Sequence, residues 1–357
     1  MDASLATFNQ ELHDLRHHIH GLEIESRLMS VPAQPTQPAH IATLLKQFQD
    51  HRAGATAKRR FDYTSIIISL YGALEHYIET LLQEHLTRIS ALVPTYLEIP
   101  ETIRTKHVPL TAELLGRLEH QKYRNRITPE FLIGNLHSCL STADKYRLNI
   151  DAFCHHGSNF RSETIESYFK QTGIENLSKQ IRSNASFSDY YQQKNQALPP
   201  DDISFDLLFA PINDLAERRN EVAHGSPSEL LSNELLLALI SFVEVYGKAL
   251  HTVVRQSLLP WEVQYRGQTL GQPIQVYNNS IVCLNINNIP ITQGDWLIAQ
   301  PANPNAAYLE GVILEIQIAN ATHDKIHPQT KTAVAFRVDY SAKKNQTFYL
   351  IQQDKRL

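Results

Sequence analysis

Apolar residues recur at helical spacing over most of the first 257 positions, then give way to short alternating runs. Residues 1–30 mix charged and apolar positions in a helical pattern. The segment VPAQPTQPAH (31–40) has three prolines in ten residues and reads as a linker or extended arm. A short helix is expected at 41–53. The strongest helical signal is 61–88, where Ile67, Leu70, Leu74, Ile78 and Leu81 follow the i, i+3, i+4 rule. Val93-Pro94 and Ile99-Pro100 mark a loop. Shorter helices are expected near 111–120, 128–142 and 162–172, a polar loop at 184–202, and helices again at 204–223 and 227–257. From Pro260 onward, β-branched runs such as SIVCLNI, AVAFRVDY and TFYLI alternate between Gly, Asn and Pro. The pattern predicts a mainly α protein, a helical bundle followed by an all-β module in the form of a small antiparallel barrel or sandwich. The expected division is an N-terminal helical extension and Pro-rich linker (1–57), a helical domain (58–258) and a β-rich domain (259–357).

Composition narrows the function classes. The 357 residues carry a formal net charge of −4, and 42% are hydrophobic, enough for a buried core. The last 98 residues hold seven acidic and eight basic side chains, so the negative excess belongs to the helical part. This balance argues against purely electrostatic nucleic-acid binding but leaves room for a local basic cleft. Three cysteines without a CxxC pair suit neither a disulfide framework nor a thiolate zinc site, and point to the reducing cytoplasm. The N-terminus lacks a signal-peptide core. The longest apolar stretches, near 66–74 and 235–245, are expected to be too short or interrupted to span a bilayer.

Seventeen histidines raise the question of a metal. Cys154, His155 and His156 are adjacent and so poorly disposed around one tetrahedral ion. His13, His17, His18 and His20 read as a solvated helix face. No metal or other cofactor is therefore expected. The informative stretch is NDLAERRNEVAHG (213–225), which places Arg219, Asn220 and His224 close together. Gly225 fits the position just past a helix end, and Ser226, Pro227 and Glu229 read as the capping box of the next helix. His224 would then sit at a helix C-terminus. Arg219 and His224, five apart, are separated by roughly 140° around a helix, so convergence needs the long Arg side chain, a distorted helix end or a second chain. An Arg and a His suffice for RNA cleavage in which the substrate's own 2′-hydroxyl attacks the phosphorus: the His moves protons and the Arg neutralises phosphate charge. Arg218 is a structural or phosphate-positioning neighbour. Glu75, among apolar positions, needs a cationic partner such as Arg219. Lys122, Arg124 and Arg126, interleaved with Tyr123, suit phosphate contact and base stacking. A short basic run, Lys58-Arg59-Arg60, precedes the long helix.

The segment RNEVAHG resembles the Arg-x4-6-His signature of HEPN domains (higher eukaryote and prokaryote nucleotide-binding). SIIISLYGALEHYIETLLQEHL (65–86) and SNFRSETIESYFKQTGI (158–174) are similar to the first long helix and the central segment of the RiboL-PSP-type branch. The resemblance covers roughly residues 60–255. It implies an HEPN-like helical bundle that homodimerises, with two motifs facing one composite cleft, and a metal-independent endoribonuclease leaving 2′,3′-cyclic phosphate ends. It makes Arg219, Asn220 and His224 the catalytic group, with Glu75 and Arg218 supporting, and brings Asn159 and Arg161 into contact with RNA. A role as toxin or antiphage effector follows, as does an antitoxin or other regulatory partner. The alternatives are a non-catalytic RNA- or nucleotide-binding module and a toxin held inactive by its cognate partner.

Overall fold

A computed structural model describes residues 1–31, 38–51, 55–141, 145–155, 157–194, 200–225, 229–303 and 306–353. In chain order its helices are α1 (Asp2–Met29), α2 (Ala39–His51), α3 (Ala55–Leu92), α4 (Glu101–Leu115), α5 (Pro129–Ser141), α6 (Ile150–Phe153), α7 (Ser162–Lys170), α8 (Leu177–Arg182), α9 (Ala185–Lys194), α10 (Phe205–Leu208), α11 (Ala210–Ala223) and α12 (Asn233–Arg266). Eleven strands follow among the described residues, from β1 (Gln268–Gly271) to β11 (Thr347–Ile351). Two compact units result: residues 1–84, 112–114 and 150–253, and residues 85–111, 115–149 and 254–357.

The first unit is helical. The apolar stripe of α3 is fully buried at Ile67, Leu70, Leu74, Ile78 and Leu81. The first turns of α12 contribute Leu236, Ile240 and Val243. α1 lies on this core through Phe8, whose ring stacks on Tyr77 with centroids 4.3 Å apart. Gly247 makes room for that ring: a Cβ there would meet Phe8 Cε1 at 2.4 Å. The Tyr77 hydroxyl donates to the Gly247 carbonyl at 3.1 Å.

The second unit contains the β module. One sheet has the order β1-β11-β5-β6 and the other β2-β3-β10-β7-β8, where β2 is Gln275–Tyr277, β3 Ile281–Ile286, β5 Trp296–Gln300, β6 Leu309–Val312, β7 Glu315–Ile318, β8 Ala321–His323 and β10 Thr332–Arg337. A short ladder joins β4 (Ile291–Thr292) to β9 (Lys325–Ile326). Every pairing is antiparallel. Alternate residues point inward, as the period-2 pattern requires. Val282, Leu284 and Ile286 of β3 share one core with Leu297 and Ala299 of β5, Phe336 of β10, and Phe348 and Leu350 of β11. The module is thus a sandwich.

The expected helix break at Pro260 does not occur: α12 runs through it to Arg266, and the first strand starts at Gln268. A helix-interior proline removes one backbone hydrogen bond and costs about 3 kcal/mol. Two features offset that cost. Leu258 and Leu259 are fully buried. Arg255 and Glu262 lie on either side of the proline and form a bidentate pair, both bonds 2.6 Å. The same guanidinium makes two 2.8 Å bonds to Glu310 of β6.

Four other expectations change. Residues 185–194 form α9 rather than loop, because Asn184 caps the helix by accepting the Phe187 N–H at 3.2 Å and Phe187 is fully buried beside Phe209 and Phe242. The helix expected at 111–120 is α4, which starts ten residues earlier and continues through Pro109. α12 starts at Asn233, with the Ser232 hydroxyl accepting the Leu235 N–H. The capping box proposed at 226–229 falls on residues 226–228, outside the described ones. α12 is also long and apolar enough to cross a membrane by length and composition, contrary to the estimate from residues 235–245. Over half of its most apolar window is buried inside the protein, the pattern of a core helix.

The second unit also holds a buried histidine. His107 is fully buried, its Nε2 accepts the Asn149 N–H at 3.0 Å, and its Nδ1 lies 3.3 Å from the Tyr96 hydroxyl. Because Nε2 accepts, the neutral ring carries its proton on Nδ1. Burial pushes its pKa down from 6.5 to about 4. Below about pH 6.5 the unfolded chain binds a proton that the folded chain refuses until about pH 4, so stability falls as pH drops through that window. At about 1.4 kcal/mol per pKa unit the loss is on the order of 3 kcal/mol. Thermal melts from pH 7.5 to 4.5 should show this slope, and His107→Gln should flatten it. Arg255→Met, which strands two carboxylates, should cost about 3–5 kcal/mol in chemical denaturation; a change below about 1 kcal/mol would contradict the role given to the cluster.

Candidate functional site

Three sides of α11 meet three different environments. Ile212, Leu215, Ala216 and Val222 form its buried stripe. Arg219 lies on that same stripe, three to four residues after the pair Leu215-Ala216, a charged side chain where the period calls for an apolar one. It is half-buried, and its guanidinium carbon stands 5.4 Å from the centroid of the Tyr71 ring on α3. That is cation–π range.

Asn213, Glu217 and Asn220 occupy the adjoining side, at i, i+4 and i+7. They receive the segment that leads into α7. Asn159 donates its amide to the Asn220 side-chain oxygen. Arg161 pairs with Glu217 at 2.5 Å. Ser162 bonds the Asn213 side-chain oxygen through its N–H at 2.9 Å and its hydroxyl at 3.1 Å. Asn159, which the sequence assigned to RNA contact, is here a partner of Asn220, and Arg161 is held in an exposed ion pair.

On the third side, Arg218 is committed to the scaffold. Its Nε bonds Asp214 at 2.7 Å, and its Nη1 donates to the Tyr63 hydroxyl at 3.0 Å and the Glu229 carbonyl at 3.2 Å. Burial opposes its charge, but Asp214 and Tyr63 outweigh it and raise its pKa.

His224 closes α11 as its C-terminal cap, and its N–H bonds the Asn220 carbonyl at 3.0 Å. Gly225 follows at φ +75°, the left-handed conformation expected just past a helix end. His224 is exposed and follows Asn220 by one turn. On ideal geometry Asn220 lies between Arg219 and His224 around the helix, about 100° from one and 40° from the other. Within one chain, therefore, Arg219 faces inward over Tyr71 and His224 faces solvent.

Sequence reasoning missed Tyr71, which organises this region. Its buried hydroxyl accepts the Phe160 N–H at 2.9 Å and donates to the Glu75 carboxylate one turn on. Burial, the largest effect, together with Glu75, pushes its pKa up to about 12, against the opposing pull of the Phe160 N–H and Arg219. Glu75 thus enters the site through Tyr71. The available signal was the Tyr71–Glu75 spacing of four on a helix already known to be amphipathic.

Lys122, Arg124 and Arg126 belong to the other compact unit, in the turns between α4 and α5. Tyr123 is 2% exposed, so it presents no face for a base, contrary to expectation. Lys122 lies 5.9 Å from its ring centroid. Cys154 is buried, and its neighbour His155 lies 4.0 Å from Glu113; His156 is outside the described residues. Among the described residues no three His, Cys, Asp or Glu side chains gather as a metal site.

The model of the RiboL-PSP-HEPN family matches residues 39–256, more than half of the chain. No curated protein and no solved structure matches.

Tyr71→Phe keeps the ring but removes the acceptor of a buried N–H and the donor to Glu75. It should cost about 1–3 kcal/mol in denaturant unfolding. A loss under about 0.5 kcal/mol would show that the hydroxyl does not hold the 159–162 segment.

Proposed function

Because this chain belongs to the RiboL-PSP-type HEPN family, whose domains are commonly ribonucleases, we propose that it is a metal-independent endoribonuclease. The observation that supports this best is the end of α11: an exposed His224, an Asn220 fixed by Asn159, and an Arg219 set on the buried stripe against Tyr71.

His224 takes the proton of the substrate's 2′-hydroxyl as the 2′-oxygen bonds to phosphorus. The bond from phosphorus to the 5′-oxygen breaks, and that oxygen leaves as a hydroxyl on taking a proton from protonated His224, which returns to its neutral form. The products carry a 2′,3′-cyclic phosphate and a 5′-hydroxyl. Arg219 neutralises charge on the non-bridging oxygens. Asn220, pinned by Asn159, supplies a polar contact between them. Arg161 and Arg218 act on the scaffold.

The angular separation of Arg219 and His224 favours a homodimer in which one chain's His224 faces the other's Arg219. The reading extends to a cytoplasmic toxin or antiphage effector, restrained by a regulatory partner. The second reading, an RNA-binding module without catalysis, is distinguished by the same assay.

In excess EDTA the wild type should cleave single-stranded RNA. His224→Ala should lose about 10²–10⁴-fold and Arg219→Ala about 10²–10³-fold. Full activity in His224→Ala would sink the assignment, and binding without cleavage by the wild type would favour the second reading. Mixing the two inactive variants should restore about a quarter of wild-type activity if subunits exchange at random and each site draws on both chains.

A further inference from the structure

A helix C-terminus is a poor place to receive RNA. The last carbonyls carry roughly half a negative charge, and an anion approaching them is repelled. His224 sits at such an end, so a phosphate that reaches it must meet a compensating cation. Within the same chain Arg219 is half-buried against Tyr71 and lies on another side of α11, so the phosphate flanking the scissile one needs a further cation.

The basic run at the start of α3 supplies the cation. Lys58 is tied to Glu25 and Asp62, both at 3.0 Å. Among the described residues Arg60 pairs with no carboxylate: its Nη2 donates to the Gly225 carbonyl at 2.5 Å, one residue past His224. The bond neutralises the end of α11 and fixes the turn whose left-handed glycine orients the histidine. A guanidinium has five donors in a planar fork, more than one carbonyl accepts, and the Arg60 side chain is exposed. That fork matches the geometry of a phosphate.

We propose that Arg60 is a phosphate-binding residue of the RNA site, holding a phosphodiester that flanks the scissile one beside His224. The inference rests on the endoribonuclease reading and adds a subsite to it. Arg60 makes substrate binding and the shape of the His224 turn depend on one side chain.

The test uses the full chain and a fluorescein-labelled single-stranded RNA. Binding is measured in the His224→Ala background between 50 and 300 mM salt, and steady-state cleavage with His224 intact. Arg60→Gln should weaken binding about 5–10-fold at low salt and reduce the slope of log affinity against log salt by about 0.7, the value for one phosphate contact on a single strand. In cleavage it should raise KM by a larger factor than it lowers kcat. Arg60→Lys, which keeps the charge, should recover most of the salt slope, and thermal melting of both variants checks the fold. An unchanged slope and KM in Arg60→Gln overturns the proposal. So does a loss confined to kcat, which would make the Gly225 bond purely structural. Wild-type cleavage with no Arg60 effect overturns this inference alone, whereas a wild type that neither binds nor cleaves RNA overturns the endoribonuclease reading as well.

Discussion

The hydroxyl of Tyr71 is the constraint on which the candidate site depends. It comes from the middle of the longest core helix, where a polar group must find partners or cost free energy. It finds two: the Phe160 N–H and the Glu75 carboxylate. The first fixes the turn before α7 against α3, and that segment in turn presents Asn159 and Arg161 to α11. The ring meanwhile gives Arg219 a surface to lie on. One side chain thus connects the core of the bundle to the segment before α7 and to α11, which carries the motif, and a positional error in it would pass to both.

A comparable logic operates in the second unit through charge. Arg255 is 7% exposed and Glu262 4% exposed, a burial that isolated ions would not tolerate. Every contact of the guanidinium with Glu262 and Glu310 lies between 2.6 and 2.8 Å, and Arg88 approaches Glu262 at 3.9 Å. Such clusters add little net stability compared with an apolar replacement, but they tolerate few alternative arrangements. Here the arrangement joins the last turns of α12 to β6. Leu259 and Val263 pack beside it against Ile298 and Ile351 of the same sheet. The helix end and the sandwich are therefore one folded body, which is why a proline in the last turns of that helix is accommodated.

This explains what could be read from sequence and what could not. The stripe Ile67 to Leu81 is local and periodic, so α3 was legible, as were the alternating strands of the sandwich. The helix end at Gly225 was legible because a left-handed residue is a local demand met cheaply by glycine. Pro260 was misread because the forces that carry α12 past it come from 50 residues away, at Glu310. α9 was misread because its polar composition concealed Phe187, whose burial is tertiary. In the site, Arg219, Asn220 and His224 were found by their spacing. Tyr71 was not, since its importance lies in a hydroxyl bonded to a backbone N–H 89 positions away.

The adjacent arginines of α11 show how far geometry goes beyond a motif. Nothing in Arg218-Arg219 as letters decides which is available to a substrate. One residue is about 100° of helix rotation, and that rotation decides it. Arg218 turns towards Tyr63, Asp214 and the Glu229 carbonyl, and its donors go to the scaffold. Arg219 turns onto the apolar stripe, where the aromatic face of Tyr71 meets it, an interaction that by itself does not occupy a guanidinium's in-plane donors. A cation kept in place by its π face retains its hydrogen-bonding edge for an anion. His224 obeys the same rotation in the other direction and ends exposed on the side of Asn220. The helix therefore separates its two chemical groups by its own geometry, and a cleft that uses both must be completed from outside that single helix.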